Sequence, residues 1–296
     1  MYKRPDGMYF LDEWFDVVRC DECGLGFVSP MPSADEISKF YPEGFYNWFR
    51  DENHIERYNI QYKYLPDSKS YSTKPVLLDI GCGVGDFPRY VSTYNWQVEG
   101  VEPYCQFPID DFTVYREPFE VVKGLTNRFD AITAWAVFEH LRDPKSYFKI
   151  VADALKPNGK FVFLVTNFES ISSRHLYHED APRHLHFFTK KTVSKYLQEV
   201  GMTIESATFD DNIFSMGSRG ALNYLFTRYI LKRPYLWEDR PMAYPDFLSE
   251  EKLDRNLYSA IKFIILHPIT CLDRLFEPIL DHWLKMTNNY GIVTYV

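Results

Sequence analysis

Three glycines, Gly81, Gly83 and Gly85, follow the apolar run Val76–Ile80. This run has the length and composition of a buried strand, and a helix is predicted directly after the glycines. Glycine has no side chain, so a turn built from it lets the backbone approach a ligand closely. The sequence therefore predicts a small-molecule site at this strand-to-helix turn.

An acidic residue, Glu102, ends the next apolar run, 98–101. A carboxylate at this place can accept hydrogen bonds from both hydroxyls of an adenosine ribose. Nicotinamide dinucleotides are bound in the same way, but their fingerprint has a glycine where this chain has Asp86. A carboxylate would repel a pyrophosphate, whereas a sulfonium amino acid carries no phosphate. We therefore predict S-adenosylmethionine as the cofactor, with Asp79 orienting the turn and, directly or through water, the cofactor's ammonium group.

Four histidines lie within the twelve residues 175–186, after a predicted strand at 160–165. They should lie at the carboxyl edge of the sheet, where open α/β sheets bind ligands. A histidine there could act as a general base toward a hydroxyl nucleophile. The candidates are His184 or His186, with Asp180 as a residue that could orient the base.

Other residues near this segment leave alternatives open. Glu179 could replace Asp180 as the orienting group, and Arg183 could hold an anionic part of a substrate. The histidines could instead brace the loop or bind a divalent metal. A further candidate base is His140, which follows Glu139 at the end of a predicted strand.

Cys20 and Cys23 have the spacing of zinc ligands. A structural zinc site normally needs four ligands, and the preceding 19 residues contain neither Cys nor His. Zinc binding is therefore not expected, unless a dimer partner or a distant residue completes the site. The five cysteines and the lack of an apolar leader favour reduced thiols and a cytoplasmic location.

Strand and helix patterns alternate along the middle of the chain, which predicts an α/β fold with a mostly parallel sheet. Ser33 and Glu36 form a candidate capping box, and Thr189 could cap a helix that ends at Gly201. The predicted strands are 76–80, 98–101, 112–115, 129–135, 160–165, 203–209 and 291–296, and the predicted helices are 33–41, 51–64, 143–155 and 189–201.

The same patterns divide the chain into four parts. Residues 1–70 form an N-terminal extension, 71–209 the cofactor-binding core, 210–288 a helical insertion, and 289–296 a last strand that returns to the core sheet. Within the insertion, 257–284 has apolar residues at helical spacing. This segment could form a lid, a homodimer interface or a peripheral contact with a membrane surface.

Composition excludes several classes of protein. Hydrophobic residues make up 46% and charged residues 25%, as in ordinary globular proteins. The net charge of −8 argues against a nucleic-acid partner. The apolar stretch 260–272 is interrupted by Lys262, His267 and Pro268, so no transmembrane segment is expected.

Several motifs together resemble the class I S-adenosylmethionine-dependent methyltransferases, in particular their ubiquinone-biosynthesis-like branch. Residues 79–85 (DIGCGVG) are similar to the first motif of that class, and 100–103 (GVEP) to its acidic second motif. Residues 129–144 and 155–159 are similar to the fourth-strand motif and the following loop of the branch. Residues 182–189 (PRHLHFFT) resemble members that are encoded with polysaccharide and glycan genes.

The resemblance implies a Rossmann-like sheet of seven strands in the order 3-2-1-4-5-7-6, with the seventh strand antiparallel. It also implies an aromatic N-terminal cap over the cofactor, where Tyr46 would lie. The same aromatic rings could instead dock the N-terminal helices. S-adenosylhomocysteine would be the product. The resemblance assigns cofactor contacts to Asp79, Gly81, Cys82, Gly83, Gly85, Glu102, Pro103, Ala134, Trp135, Phe138 and Tyr46.

The family likeness favours O-methylation of a sugar, nucleotide-sugar or glycan hydroxyl. A small lipophilic acceptor, such as a quinone precursor, is the alternative within enzymes. A non-catalytic binding or scaffold protein on the same fold is a third reading. The short segment between Glu102 and Phe112 contains Pro103 and Pro108, which leaves the adenine-contacting residues near Tyr115 open.

Overall fold

A computed structural model describes residues 2–3, 15–37, 39, 55–104, 107–171, 181–209, 213–214, 218, 220–232 and 268–296. The strands in this part of the chain are β1 (Tyr2–Lys3), β2 (Asp16–Arg19), β3 (Gly26–Ser29), β4 (Val76–Ile80), β5 (Gln97–Val101), β6 (Thr113–Tyr115), β7 (Phe129–Trp135), β8 (Leu155–Thr166), β9 (His186–Phe187), β10 (Ala207–Thr208) and β11 (Ile292–Tyr295). The α-helices are α1 (Ala34–Ile37), α2 (Ile55–Tyr62), α3 (Asp86–Ser92), α4 (Pro144–Ala154), α5 (Lys190–Glu199), α6 (Ala221–Leu225) and α7 (Pro268–Met286).

Seven strands form the central sheet in the order β10-β11-β8-β7-β4-β5-β6. Strands β4 to β8 run parallel, and β11 is antiparallel to both of its neighbours, β8 and β10. In order of appearance along the chain, this is the arrangement 3-2-1-4-5-7-6. The predicted fold class is therefore confirmed, including the return of the chain to the sheet after the insertion.

Helices pack on both faces of the sheet. Successive side chains of each strand point to opposite faces, so both sets are buried. In β4, Leu78 and Ile80 pack with α4 and α5 on one face. Leu77 packs with α3 and with Leu284 of α7 on the other face. Strands that are covered on both faces are apolar along their whole length. This is why apolar runs in the sequence predicted them.

The predicted helix signals are confirmed at three positions. Thr189 Oγ1 accepts a hydrogen bond from the backbone N–H of Thr192 at 3.1 Å, and Gly201 ends the segment after α5 with a φ of 75°. Glu36 Oε2 accepts from the N–H of Ser33 at 2.7 Å, and Ser33 Oγ accepts from the N–H of Glu36 at 3.2 Å, which completes the capping box. The helices predicted at 33–41 and 51–64 correspond to α1 and α2, which are shorter than predicted in the described residues.

Strand β8 begins earlier than predicted. Leu155 already pairs with Phe129, and the next pair along the two strands joins Lys160 to Ala131. The residues between Leu155 and Lys160 therefore bulge out of the ladder, with Asn158 at a φ of 63°. The predicted turn at 156–159 is present, but it lies inside the strand. The strand predicted at 203–209 is reduced to β10.

A second sheet, which the sequence patterns did not predict, has the order β1-β2-β3-β9. Phe27 of β3 pairs with His186 of β9. A side chain at Gly26 would lie 2.6 Å from the ring of Phe168, so glycine permits this close approach. The N-terminal extension is therefore hydrogen-bonded to the loop that follows β8 and carries the candidate histidines.

Candidate cofactor and active site

The turn after β4 is held in left-handed backbone conformations. The φ angles are 73° at Gly81, 54° at Gly83 and 85° at Gly85, a region that L-residues with side chains rarely adopt. A Cβ at Gly81 would lie 2.5 Å from Cγ2 of Val137, whereas a Cβ at Gly83 would meet nothing within 4 Å. The turn therefore packs against the loop after β7 at Gly81 and leaves open space at Gly83.

Glu102 connects this turn to the end of β5. Its Oε2 accepts a hydrogen bond from the N–H of Gly83, and its Oε1 accepts one from the N–H of Tyr104, both at 3.0 Å. The residue is only 4% exposed. Each carboxylate oxygen has two lone pairs, so these bonds leave acceptor capacity for ribose hydroxyls.

Asp79 lies beneath the turn and is buried. Burial raises the pKa of its carboxyl to about 7, and the nearby charge of Glu102 acts in the same direction. A hydrogen bond of 2.6 Å from the hydroxyl of Thr133 opposes this shift. A positively charged ligand close to Asp79 would favour the ionised form, which suits the predicted role toward an ammonium group.

The other residues assigned to the cofactor by resemblance lie in different environments. Pro103 is half-buried beside Glu102. The sulfur of Cys82 lies 2.5 Å from the place where Gly100 would carry a Cβ, so this side chain packs on β5. Ala134 is buried in β7, and the ring of Trp135 packs against Phe87 of α3.

Phe138 is fully buried among aromatic rings of α4 and β8. Its ring therefore packs in the core, and the cofactor contact assigned to it stays a prediction. Two residues beside the turn were missed by the sequence reasoning. Val137 contacts Gly81, and Tyr104, 72% exposed, donates its backbone N–H to Glu102. The sequence signal that could have identified them was their place in the motifs: Val137 lies within 129–144, and Tyr104 directly follows 100–103.

The loop after β7 and the loop after β8 meet at His140 and His184. Their rings are edge-to-face with centroids 4.7 Å apart, and Nδ1 of His140 lies 3.0 Å from the carbonyl oxygen of Arg183. The N–H of Leu185 donates to the carbonyl of Glu139 at 2.8 Å, which also joins the two loops. Both loops lie at the carboxyl edge of the sheet, where the glycine turn is found.

Among the residues that the structure describes, one group has the composition of a metal site. Glu139, His140 and His184 each offer a ligand atom, and these atoms lie within 4.8 Å of one another. The same three groups can hold and transfer a proton. Of the predicted catalytic residues, His184 therefore lies in a cluster of side chains that can bind a metal or transfer a proton.

His186 has a different environment. Its Nδ1 lies 2.9 Å from the carbonyl oxygen of Leu141, and it is buried within β9. Burial lowers the pKa of its imidazole, although the bond to Leu141 opposes this shift. These contacts indicate a link between the two loops. The predicted residues Tyr46, Asp180 and Glu179, together with His175 and His178, lie outside the described residues.

Cys20 and Cys23 form the tight connection between β2 and β3. Gly24 has a φ of 82° and donates its N–H to the carbonyl of Cys20 at 2.9 Å. Hydrogen bonds from the backbone and thiol of Cys23 lower the pKa of the Cys20 thiol. In the described part of the chain, this pair is not joined by a third potential metal ligand. The expectation that it does not bind zinc stays a prediction.

The family profile described as "Methyltransferase domain" matches residues 54–207, which is more than half of the chain. The chain belongs to this methyltransferase family. The matched region extends from just before α2 to β10, and so includes the glycine turn, Glu102 and the loops that carry the histidines.

Two curated relatives resemble the methyltransferase over part of its length. A malonyl-[acyl-carrier protein] O-methyltransferase of Porphyromonas gingivalis is 29% identical over 93 residues, which cover 29% of this chain and 36% of the relative. A ubiquinone biosynthesis O-methyltransferase of Pasteurella multocida is 24% identical over 128 residues, which cover 36% of this chain and 53% of the relative. The methyltransferase thus spans about a third to a half of the length of these relatives.

One solved structure supports the fold, and a second is given for comparison. A candidate sarcosine dimethylglycine methyltransferase from Galdieria sulphuraria aligns with a TM-score of 0.50 and 14% identity, covering 86% of this chain and 89% of that one. The 1,6-didemethyltoxoflavin-N1-methyltransferase of Burkholderia thailandensis, solved with S-adenosylhomocysteine, aligns with a TM-score of 0.46 and 17% identity, covering 68% and 91%. None of the helices in the described residues is long and apolar enough to cross a bilayer.

The cofactor of the methyltransferase is S-adenosylmethionine, and the turn after β4 fits it. Three observations agree with this cofactor: the open space at Gly83, the carboxylate of Glu102 beside it and the buried acid of Asp79. A ribose needs hydroxyl acceptors and an amino-acid group needs a counter-charge, and these residues offer both.

Proposed function

We propose that the methyltransferase transfers a methyl group to the hydroxyl oxygen of a small acceptor, most favourably a sugar or nucleotide sugar. The observation that carries this proposal is the polar cluster of Glu139, His140 and His184 beside the glycine turn. Val137, which contacts Gly81, accepts a hydrogen bond through its carbonyl from the N–H of His140 at 3.0 Å. Residues 137–140 thus connect the cluster to the glycine turn.

Asp79, Gly83 and Glu102 would hold the cofactor. When bound, S-adenosylmethionine supplies a methyl group on a positively charged sulfur, which is an excellent leaving group. The chain's own residues then have to align the acceptor, exclude water and remove one proton. A positioned base contributes roughly 10²–10⁴ in rate to such a transfer.

His140 is the proposed base. A carbonyl oxygen can only accept, so the contact of its Nδ1 with Arg183 requires the hydrogen on Nδ1. The lone pair that can take the proton of the acceptor's hydroxyl is then on Nε2. His140 is half-buried, whereas His184 is buried, so an acceptor reaches His140 more easily.

The polar residues around His140 and His184 favour an acceptor with several hydroxyl groups. Arg183 is buried next to His184, and a guanidinium can hold a phosphate or uronate of a nucleotide sugar. Both curated relatives are named O-methyltransferases, which agrees with an oxygen nucleophile. The second candidate acceptor is a quinone precursor, which the ubiquinone-biosynthesis relative favours.

The test is transfer of a labelled methyl group to a panel of nucleotide sugars and prenylated phenols. We expect labelled nucleotide sugar with the wild type, and a loss of about 10²–10⁴ in kcat for His140→Ala. His282→Ala, at an exposed histidine of α7, is the matched control.

Calorimetry with S-adenosylhomocysteine checks that His140→Ala still folds and binds the cofactor product. An unchanged kcat in this variant would exclude His140 as the base. Labelling of the phenols alone would exclude the sugar acceptor and favour the quinone precursor.

A further inference from the structure

Cys20 and Cys23 lie in the short connection between β2 and β3. The two ends of this connection are paired, since the N–H of Cys20 donates to the carbonyl of Leu25 at 2.8 Å. Within it, the N–H of Gly24 donates to the carbonyl of Cys20 at 2.9 Å, and Gly24 has a left-handed backbone. The chain therefore folds back tightly within the Cys-x-x-Cys segment, which brings the two cysteines close together.

The two thiols are joined by a hydrogen bond. The sulfur of Cys20 accepts hydrogen bonds from the backbone N–H and the thiol of Cys23 and from the backbone N–H of Glu22. These bonds lower the pKa of the Cys20 thiol, although burial and the charge of Glu22 oppose the shift. The hydroxyl of Tyr196 in α5 is hydrogen-bonded to the sulfur of Cys23. Donors therefore converge on Cys20 and stabilise its thiolate, which is the nucleophilic form of cysteine.

The two cysteines differ in exposure. Cys20 is half-buried, whereas Cys23 is 8% exposed and packs in the core beside Tyr196. An oxidant in solution therefore reaches the sulfur of Cys20 first, and the thiol of Cys23 is in place to react with the product. An accessible thiolate with a second cysteine beside it is the arrangement of a redox-sensitive pair.

We propose that Cys20 and Cys23 are a reversible oxidation site that forms a disulfide with hydrogen peroxide. The Cys20 thiolate attacks one peroxide oxygen, the O–O bond breaks, and the hydroxide that leaves takes up a proton to become water. The thiol of Cys23 then attacks the sulfur of the resulting sulfenic acid. The S–O bond breaks, the S–S bond forms and a second water leaves, so two thiols are oxidised and one peroxide is reduced.

A disulfide needs only the two groups that this turn brings together. A structural zinc ion needs four ligands, and the described residues place no third metal ligand beside the pair. A transient disulfide also agrees with the expectation of reduced thiols, because it exists only while oxidant is present. The two cysteines are therefore better suited to oxidation than to holding a metal.

The oxidation site is connected to the loop that carries the candidate histidines. The carbonyl of Cys23 accepts a hydrogen bond from the hydroxyl of Thr192 in α5 at 2.9 Å. Gly26, which follows the turn in β3, pairs with Phe187 of β9. Disulfide formation therefore acts on the hairpin that pairs with this loop. The inference does not depend on the proposed acceptor.

The test is treatment of the reduced full chain with hydrogen peroxide, followed by alkylation with iodoacetamide, trypsin digestion and mass spectrometry. Trypsin cuts after Arg19 and next after Lys39, so both cysteines lie in one peptide. We expect this peptide to lose two hydrogen atoms and to escape alkylation, and dithiothreitol should restore two thiols that react. Cys271, a half-buried cysteine of α7, is the internal control and should remain alkylated.

Two variants separate the roles of the two thiols. In Cys23→Ser the oxidation of Cys20 should stop at the sulfenic acid, which dimedone traps. In Cys20→Ser the thiol of Cys23 should still be alkylated after the same treatment. Calorimetry with S-adenosylhomocysteine shows whether each variant is folded, and the result with the wild type decides the proposal by itself if one is not.

The proposal is overturned if both cysteines of the wild type are still alkylated at a peroxide concentration that oxidises Cys271. It is also overturned if Cys23 escapes alkylation in a folded Cys20→Ser variant. Stoichiometric zinc in the purified wild type that is lost in Cys20→Ser would equally contradict it, because the pair would then be a metal site.

Discussion

The carboxylate of Glu102 accepts a hydrogen bond from the backbone N–H of Gly83 at 3.0 Å. This bond joins the ends of two parallel neighbours, β4 and β5, at the edge of the sheet where the glycine turn opens. The acid thus holds the turn in place and lies where a ribose would need a hydroxyl acceptor. Both effects predict that cofactor binding depends on this side chain.

Glu102→Ala should weaken S-adenosylmethionine and S-adenosylhomocysteine binding by about tenfold or more, because hydrogen bonds to a charged group are worth roughly 1.5–3 kcal/mol each. Isothermal titration calorimetry measures both affinities. Glu117→Ala, at an exposed acid beyond β6, is the control and should leave them unchanged. Equal affinities for the Glu102 variant and the wild type would show that this acid does not hold the cofactor.

Two glycines of the turn should respond differently to alanine. At Gly83 the new methyl group meets no protein atom within 4 Å, so the cost to folding is the left-handed backbone alone, about 1–2 kcal/mol. At Gly81 it also meets Val137 at 2.5 Å, which adds about 1–3 kcal/mol. Urea unfolding should therefore rank Gly81→Ala below Gly83→Ala in stability.

Cofactor affinity provides the second comparison for these variants. Gly83→Ala fills space that the cofactor is proposed to use, so it should bind S-adenosylhomocysteine weakly although it remains the more stable of the two. If Gly83→Ala binds like the wild type, the open space at this turn is not the cofactor site.

Much of the fold could be predicted because its signals are local. The buried strands of the parallel sheet are short apolar runs, and the turn after β4 needs glycines at fixed positions. Thr189 and Gly201 mark the ends of α5 for similar local reasons. The return of β11 to the sheet followed from a single apolar run at the end of the chain.

The remaining features depend on contacts between distant parts of the chain. The pairing of Phe27 with His186 has no signal in either segment alone, so the N-terminal sheet was not predicted. The same limit applies to the candidate bases. His184 and His186 are equivalent by spacing, and only the tertiary structure brings His184 next to His140.

Asp79 should give the free protein a pH-dependent stability. Burial raises the pKa of its carboxyl to about 7, above the ordinary value of 3.8. Between these values the folded chain retains a proton that the unfolded chain has already lost, so the free energy of unfolding falls as pH rises across this window. Above about pH 7 this contribution becomes constant.

Thermal unfolding of the wild type and Asp79→Asn at several pH values checks this expectation. The wild type should lose stability relative to the variant between about pH 4 and pH 7, because asparagine does not titrate. Asp153→Asn, at an exposed acid of α4, should follow the wild type. Parallel curves for the wild type and Asp79→Asn would contradict a raised pKa at this site.

The edge strand β6 and its neighbour β5 are joined through a buried charge. Glu99 is 2% exposed, and its carboxylate accepts hydrogen bonds from Arg128 at 2.5 Å and from the hydroxyl of Tyr115 at 2.9 Å. Arg128 also donates to that hydroxyl at 2.8 Å. The three groups satisfy one another, and removal of Arg128 leaves the buried carboxylate of Glu99 without its counter-charge.

Arg128→Met should therefore destabilise the fold by about 1–3 kcal/mol, less than a fully buried pair would, because the arginine side chain is 38% exposed. Urea unfolding measures this loss. Removal of the charge on Glu99 in the double variant Glu99→Gln/Arg128→Met should recover part of the stability, since the uncompensated carboxylate is then absent. Lys160→Met, which breaks an exposed pair with Glu205, should change stability by less than about 1 kcal/mol. Equal, small losses of stability in Arg128→Met and Lys160→Met would contradict this expectation. Burial of Glu99 would then not make its ion pair contribute more than a surface pair.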